Sequence, residues 1–164
     1  MKLNKKKIVL AVLFLVIAIQ FIPVKQNNGR DQSAFIGNQF PVNAEVKSVL
    51  QKACMDCHSN VTEYPWYANV QPIAWYLANH VNDGKRHLNF DAFLHYRPYK
   101  QFHKLEEIDE VLLEGEMPLW DYSLLHPKAK LSEDDKHLLI EWSKQMRDSM
   151  QTWYPQDSLE RPKK

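Results

Sequence analysis

The stretch VNAEVKSVLQKACMDCHSN, residues 42–60, carries the reading of the fold. Val46, Val49, Leu50 and Ala53 stand at i, i+3, i+4 and i+7, the apolar stripe of a helix, and Asn43 is placed to cap its first turn. That helix runs directly into Cys54-Met55-Asp56-Cys57-His58, a C-x-x-C-H sequence. This spacing suits c-type haem attachment for a physical reason. Two thiols three residues apart on a turn can add to the two vinyl groups at one edge of a porphyrin. The adjacent histidine then reaches the iron from below. Met55 and Asp56 are expected to act as spacers pointing away from the ring.

Three other chemistries use the same residues. A thiol–disulfide enzyme expects a strand before C-x-x-C and a βαβ surround, whereas an amphipathic helix precedes it here. A zinc site needs further ligands, and there is no second cysteine pair among the 2 Cys of the chain. A disulfide between Cys54 and Cys57 closes too small a loop to stabilise much. One covalent haem c is the favoured cofactor, with Cys54, Cys57 and His58 as its first contacts.

Outward from this centre the chain reads as helical. Pro72 suits the first turn of a second helix reaching about Asn82, with Gly84 as its stop. Asp91–His95 is a short, uncommitted stretch. Lys104–Glu114 is a further helix, with Leu105, Ile108, Val111 and Leu112 inward and Gly115 at its end. Ser132 and Asp135 form a capping box, and Leu138, Leu139, Trp142 and Met146 are the apolar face of the last helix. No segment alternates with period two. The expected fold is all-α, a cytochrome c-like helical domain around one haem, preceded by an N-terminal transmembrane helix.

Composition agrees with one domain and an appendage: 164 residues, 45% hydrophobic. Residues 1–30 hold six basic residues and no acid, while residues 31–164 hold 15 basic residues against 20 acids, net −5. A body of that sign repels phosphate, so no nucleic acid is expected as a partner. Lys5-Lys6-Lys7 lead into an apolar run from Ile8 that spans 17 residues if taken to Val24. That is about 25 Å of helix, just short of a ~30 Å hydrocarbon core. No small-x-small cleavage site follows, which favours an uncleaved, single-pass anchor over a signal peptide. The lysines would lie in the cytoplasm and the haem domain on the periplasmic side of the cytoplasmic membrane. The expected organisation is an anchor at 1–24, a polar linker at 25–41, a haem domain at 42–150 and a loose tail at 151–164.

Haem iron held by His58 has one further axial position. Met117, in Gly115-Glu116-Met117-Pro118 just past a helix end, is favoured, because a proline-stiffened loop can present its thioether to a fixed point. His80 and His126 are the rival ligands. His87, His95, His103 and His137 are expected to face solvent. Met146 and Met150 read as core or surface.

From Cys54 through Trp142 the sequence resembles the bacterial haem-binding domain family of small exported mono-haem c-type cytochromes. The resemblance rests on C-x-x-C-H-S-N at 54–60, Tyr64-Pro65-Trp66-Tyr67, Pro72, His80, Gly84 and His87-Leu88-Asn89-Phe90. It continues through Gly115-x-Met117-Pro118, Tyr122, His126-Pro127, Ala129, Leu131-Ser132 and Trp142. It implies a cytochrome c-like fold, covalent haem c and His58 as the proximal ligand. Phe93 stands where the family has a tryptophan. Tyr64 and Trp66, following the attachment loop, are expected as walls of the haem pocket.

With His/Met iron, no open site remains for substrate. The expected function is therefore electron transfer to an unidentified redox partner protein, not enzymatic catalysis. A haem enzyme or gas sensor with an open or labile sixth position is the alternative. Glu106, Glu107, Asp109, Glu110, Glu114 and Glu116 are a candidate docking patch for a basic partner.

Overall fold

The computed structural model describes residues 4–162. Eight α-helices run along them: α1 (Lys5–Ile19), α2 (Ala44–Ala53), α3 (Met55–His58), α4 (Ile73–His87), α5 (Pro98–Leu113), α6 (Trp120–Leu125), α7 (Glu133–Trp153) and α8 (Gln156–Leu159). Short 3-10 turns at Ile36–Asn38, Trp66–Asn69, Phe90–His95 and Pro127–Ala129 join them. Among the described residues no strand forms, and the single extended pairing is a bridge between Asn28 and Val61. The all-α expectation holds.

The core sits where α5 and α7 pack together with α2 across α7. Val46, Leu50, Leu105, Leu139, Trp142 and Met146 fill it. Asn43 caps α2 by accepting from the Val46 N–H at 2.8 Å. Ser132 and Asp135 form the expected capping box at the start of α7. The Lys52–Asp135 ion pair at 2.7 Å ties α2 to that same end. Trp142 Nε1 donates to the Pro41 carbonyl at 3.0 Å, so a buried indole is satisfied while α2 is held in place.

Several expected boundaries move. Helix α4 does not stop at Gly84 but continues to His87. Gly84 is there for contact: a Cβ on it would lie 2.6 Å from the Cys57 carbonyl oxygen. Helix α5 starts at Pro98 rather than Lys104, because proline at the first turn loses no hydrogen bond and its φ is already helical. Residues 25–41 are not a free linker. Ile36 and Phe40 are fully buried in the core, and Asn27 Nδ2 donates to the Ser59 carbonyl and Thr62 Oγ1. A few apolar side chains in a polar stretch suffice when each meets a ready-made cavity. The tail also packs: α7 continues to Trp153, and α8 folds back on α5 with Leu159 buried. Residues 163–164 of the expected tail and 1–3 of the expected anchor lie outside the described residues.

The expected transmembrane helix is shorter than the apolar run implied. Helix α1 has 15 residues, opens on three lysines and ends at Ile19. No described helix is long and apolar enough to cross a membrane. Yet α1 buries none of its residues against the body.

Candidate haem cleft

Cys54 ends α2 and opens α3, and Cys57 and His58 complete that single turn. Burial pushes the Cys54 thiol up to about 12, with the neighbouring Cys57 adding to it. Burial likewise pushes Cys57 up to about 11, helped by Asp56 and Asp121. A thiol–disulfide enzyme needs a thiolate at neutral pH, so these surroundings are the reverse of what it would use. Among the described residues, no three His, Cys, Asp or Glu side chains are grouped to hold a metal ion, which leaves the zinc reading without ligands.

His58 is prepared for a different task. Its Nδ1 lies 2.9 Å from the carbonyl oxygen of Leu88, the residue that ends α4. A carbonyl only accepts, so Nδ1 carries the proton and Nε2 keeps its lone pair. Burial lowers the pKa of the imidazole, which favours the neutral, ligating form. A carbonyl on the other ring nitrogen is how ligating histidines are commonly oriented.

Two cavities flank this histidine. One, of about 340 Å³, is lined by Leu50, Cys54, His58, Phe90, Leu112 and Met117, with others. The second, of about 250 Å³, is lined by Cys57, His58, His80, Gly84, Met117 and Tyr122 among its walls. Both contain His58 and Met117. A flat apolar ring with one thiol near each of two edge positions and nitrogen and sulfur donors beside it fits this donor set. Met117 is delivered there by the end of α5. Gly115 takes φ +72°, and the Glu116 N–H reaches back to the Val111 carbonyl at 3.0 Å, closing the helix and turning the chain.

Hydrogen bonds lock the cleft from both sides. Asp91, almost wholly buried, accepts from the Asn60 N–H at 2.8 Å, and Asn89 Nδ2 donates to Asn60 Oδ1 at 2.9 Å. The Ser59-Asn60 and Leu88-Asn89-Phe90 blocks are thus one clamp, fixing His58 against Leu88. Opposite, Asp56 accepts from the Tyr122 hydroxyl at 2.7 Å and from the Glu63 N–H at 3.0 Å. Asp56, expected as a spacer, therefore also ties α3 to α6. Met55 packs against the core.

The other expected site residues are placed unevenly around the cleft. Trp66 is 79% exposed, packs edge-on against Tyr67, and lines neither cavity beside His58. Tyr64 lines a neighbouring cavity of about 210 Å³ that shares Cys57 but not His58, and its hydroxyl accepts from the Asn27 N–H. His126 stacks on Tyr122 and donates from Nδ1 to the Tyr122 carbonyl at 3.1 Å, away from both His58 cavities. His80 packs tilted against the Tyr76 ring and lines the second cavity. His87, expected in solvent, is exposed and yet lines both. Gly84, Leu88, Asp91 and Tyr122 are the contributors whose roles sequence spacing did not reveal. Three of them, Gly84, Leu88 and Tyr122, stand inside resemblance blocks. The acidic cluster is also thinner than it reads: Asp109 faces α7 and pairs with Arg147, while Glu107 pairs with Lys104.

A small helical domain with a C-x-x-C-H turn between two cavities has room for haem beside His58. The chain belongs to the haem-binding domain family, whose model matches residues 14–145. That match takes in the packed segment 25–41 and the end of α1 from residue 14 onward. No curated protein and no solved structure matches the chain. Haem is accordingly the cofactor, and the residues around His58 fit it.

Proposed function

We propose that this protein is a mono-haem c-type cytochrome, anchored in the cytoplasmic membrane by its N-terminal segment, that passes electrons to a partner protein on the periplasmic side. Cys54 and Cys57 hold the haem covalently through thioethers. His58 Nε2 is the proximal ligand and the Met117 thioether the distal one. The observation that carries this reading is the Nδ1 bond of His58 to Leu88, which leaves the Nε2 lone pair for a ligand, at a residue that lines both cavities together with Met117.

When bound, the haem supplies a one-electron iron couple. The residues of the chain do the rest. His58 keeps its proton on Nδ1, so the ligand stays neutral. Met117 would supply the thioether that keeps water and small ligands off the iron. Phe90, Leu50 and Leu112 exclude water, which disfavours the extra charge of the ferric state and raises the potential. Glu110, Glu114 and Glu116, exposed near the Met117 loop, steer a basic partner towards this edge.

Protein matured through an export pathway tests the reading. Haem-dependent peroxidase staining should survive denaturing electrophoresis and disappear in the Cys54→Ala/Cys57→Ala variant. Ferric protein should show a low-spin spectrum with the weak thioether-to-iron band at the red end. Staining lost on denaturation of the unmodified protein would remove the covalent assignment. A high-spin ferrous form that takes up CO without displacing a ligand would replace electron transfer by an enzyme or sensor.

A further inference from the structure

We propose that the edge of the body formed by Trp66, Ile73, Trp120 and Leu125 rests in the headgroup region of the lipid bilayer, so that the haem domain lies on the membrane in one orientation. This rests on the reading of α1 as an anchor and adds a second contact to it.

The first observation is how α1 ends. Gln20 and Gln71 pair through both backbone and side chain: the Gln71 N–H donates to Gln20 Oε1 at 2.9 Å, and Gln20 Nε2 donates to the Gln71 carbonyl at 3.1 Å. Gln71 Nε2 also donates to the Ile22 carbonyl at 2.9 Å. An anchor on a flexible tether would need no such joint. The body is fixed to the end of the helix at the residue just before Pro72 and α4.

The second observation is the exposed edge that begins at Ile73, two residues past that joint. Trp66 and Trp120 are each 79% exposed, and Ile73, Leu124 and Leu125 are exposed beside them. Ile73, Tyr76, Trp120 and Leu125 rim one cavity with Tyr67, against whose ring Trp66 packs. Exposed apolar clusters of this kind mark contact surfaces. Tryptophan and tyrosine prefer the membrane–water boundary, where an apolar ring and a polar edge are both accommodated.

The third observation chooses the occupant. Helix α1 exposes apolar side chains all round, so it requires an apolar surround that the body does not provide. Its 15 residues span about 22 Å, short of a ~30 Å hydrocarbon core. A short span draws its flanking residues towards the bilayer. The flank here is Phe21, Ile22 and, through the glutamine joint, the start of α4. Ile73, two residues past Gln71, connects that flank to the edge it shares with Trp120 and Leu125.

Spin labels on the full-length holoprotein in phosphatidylethanolamine/phosphatidylglycerol vesicles test this. Labels are placed through Leu13→Cys on α1, Trp66→Cys and Trp120→Cys on the edge, and Lys144→Cys on the exposed face of α7. The unmodified protein serves as the labelling blank, and the visible spectrum of each variant as the folding control. Collisions with oxygen, which concentrates in lipid, are compared with collisions with a polar nickel chelate. Labels at 13, 66 and 120 should favour oxygen, and the label at 144 should favour nickel. A label at 13 in lipid with 66 and 120 in water overturns the proposal and leaves the anchor standing. A label at 13 in water shows that the anchor reading has failed, and the proposal with it. Labels at 66 and 120 shielded from both agents, in a particle of twice the chain mass, overturn it in favour of a second copy as occupant.

Discussion

The Tyr122 hydroxyl donates to Asp56 Oδ2 at 2.7 Å, joining α6 to the attachment turn α3. The loop that carries Met117 leads directly into α6. The attachment turn and the segment that follows Met117 are therefore tied together by a hydrogen bond.

Removing that bond should loosen the distal side. Tyr122→Phe keeps the ring and its stacking on His126 but leaves Asp56 short of one donor. A hydrogen bond to a carboxylate contributes about 1.5–3 kcal/mol. Stability in denaturant should fall by roughly that amount. Ferrous protein should bind CO more readily. An unchanged CO affinity would mean that α6 is held without it.

Gly84 is the site where sequence intuition and structure give opposite signs. Alanine in a helix interior is ordinarily more favourable than glycine by about 1 kcal/mol. Here the added Cβ would meet the Cys57 carbonyl oxygen at 2.6 Å and Cys57 Cβ at 3.0 Å. Gly84→Ala should push α4 off α3, reduce the yield of haem-stained protein and destabilise the fold by more than about 1 kcal/mol. A more stable variant with full staining would show that the two helices can separate at no cost.

Met117 and Met146 should respond in opposite ways. Met146 is 1% exposed in the core, so Met146→Ala should cost about 2–5 kcal/mol of stability and leave the spectrum alone. Met117→Ala should cost little stability, shift the iron towards high spin, lower the potential and admit CO. Met117→His should keep low spin and lower the potential. If Met117→Ala leaves the spectrum intact while His80→Ala changes it, His80 is the distal ligand.

Asp91 should matter as a buried acceptor. Asp91→Ala leaves the Asn60 N–H without its acceptor beside a buried position, while the exposed Gln32 amide can turn to solvent. About 1–3 kcal/mol per stranded group is the expected loss. Thermal unfolding of the holoprotein measures it.

Acid should release α6. The Tyr76 hydroxyl donates to Asp121 and holds its carboxyl below the ordinary carboxylate range, with His80 adding in the same direction. A carboxyl whose pKa is lower in the folded state stabilises that state above its unfolded pKa. The stabilisation is lost as pH falls through the folded value. CO uptake by ferrous protein should therefore rise on acidification below the ordinary carboxylate range. Tyr76→Phe should raise it already at neutral pH and flatten that acid limb. The same limb persisting in Tyr76→Phe would assign it to another group.

The sequence by itself determined the helical class, the capped α2 running into Cys54, the capping box of α7 and the attachment turn. All of these are local: a 3.6-residue period, a cap three residues from its acceptor, a thiol spacing. It also placed Met117 just past a helix end, because Gly115 and Pro118 are local signals. Only the tertiary structure decided that Asp56 meets Tyr122, that Asn60 and Asn89 share a clamp, and that Gly84 serves Cys57 rather than ending α4. It likewise drew Ile36, Phe40 and Leu159 from segments that read as linker and tail into the core, and turned Trp66 outward. Each of these depends on a partner far away in the chain. A single glycine or aspartate carries the same local signal whether or not that partner is present.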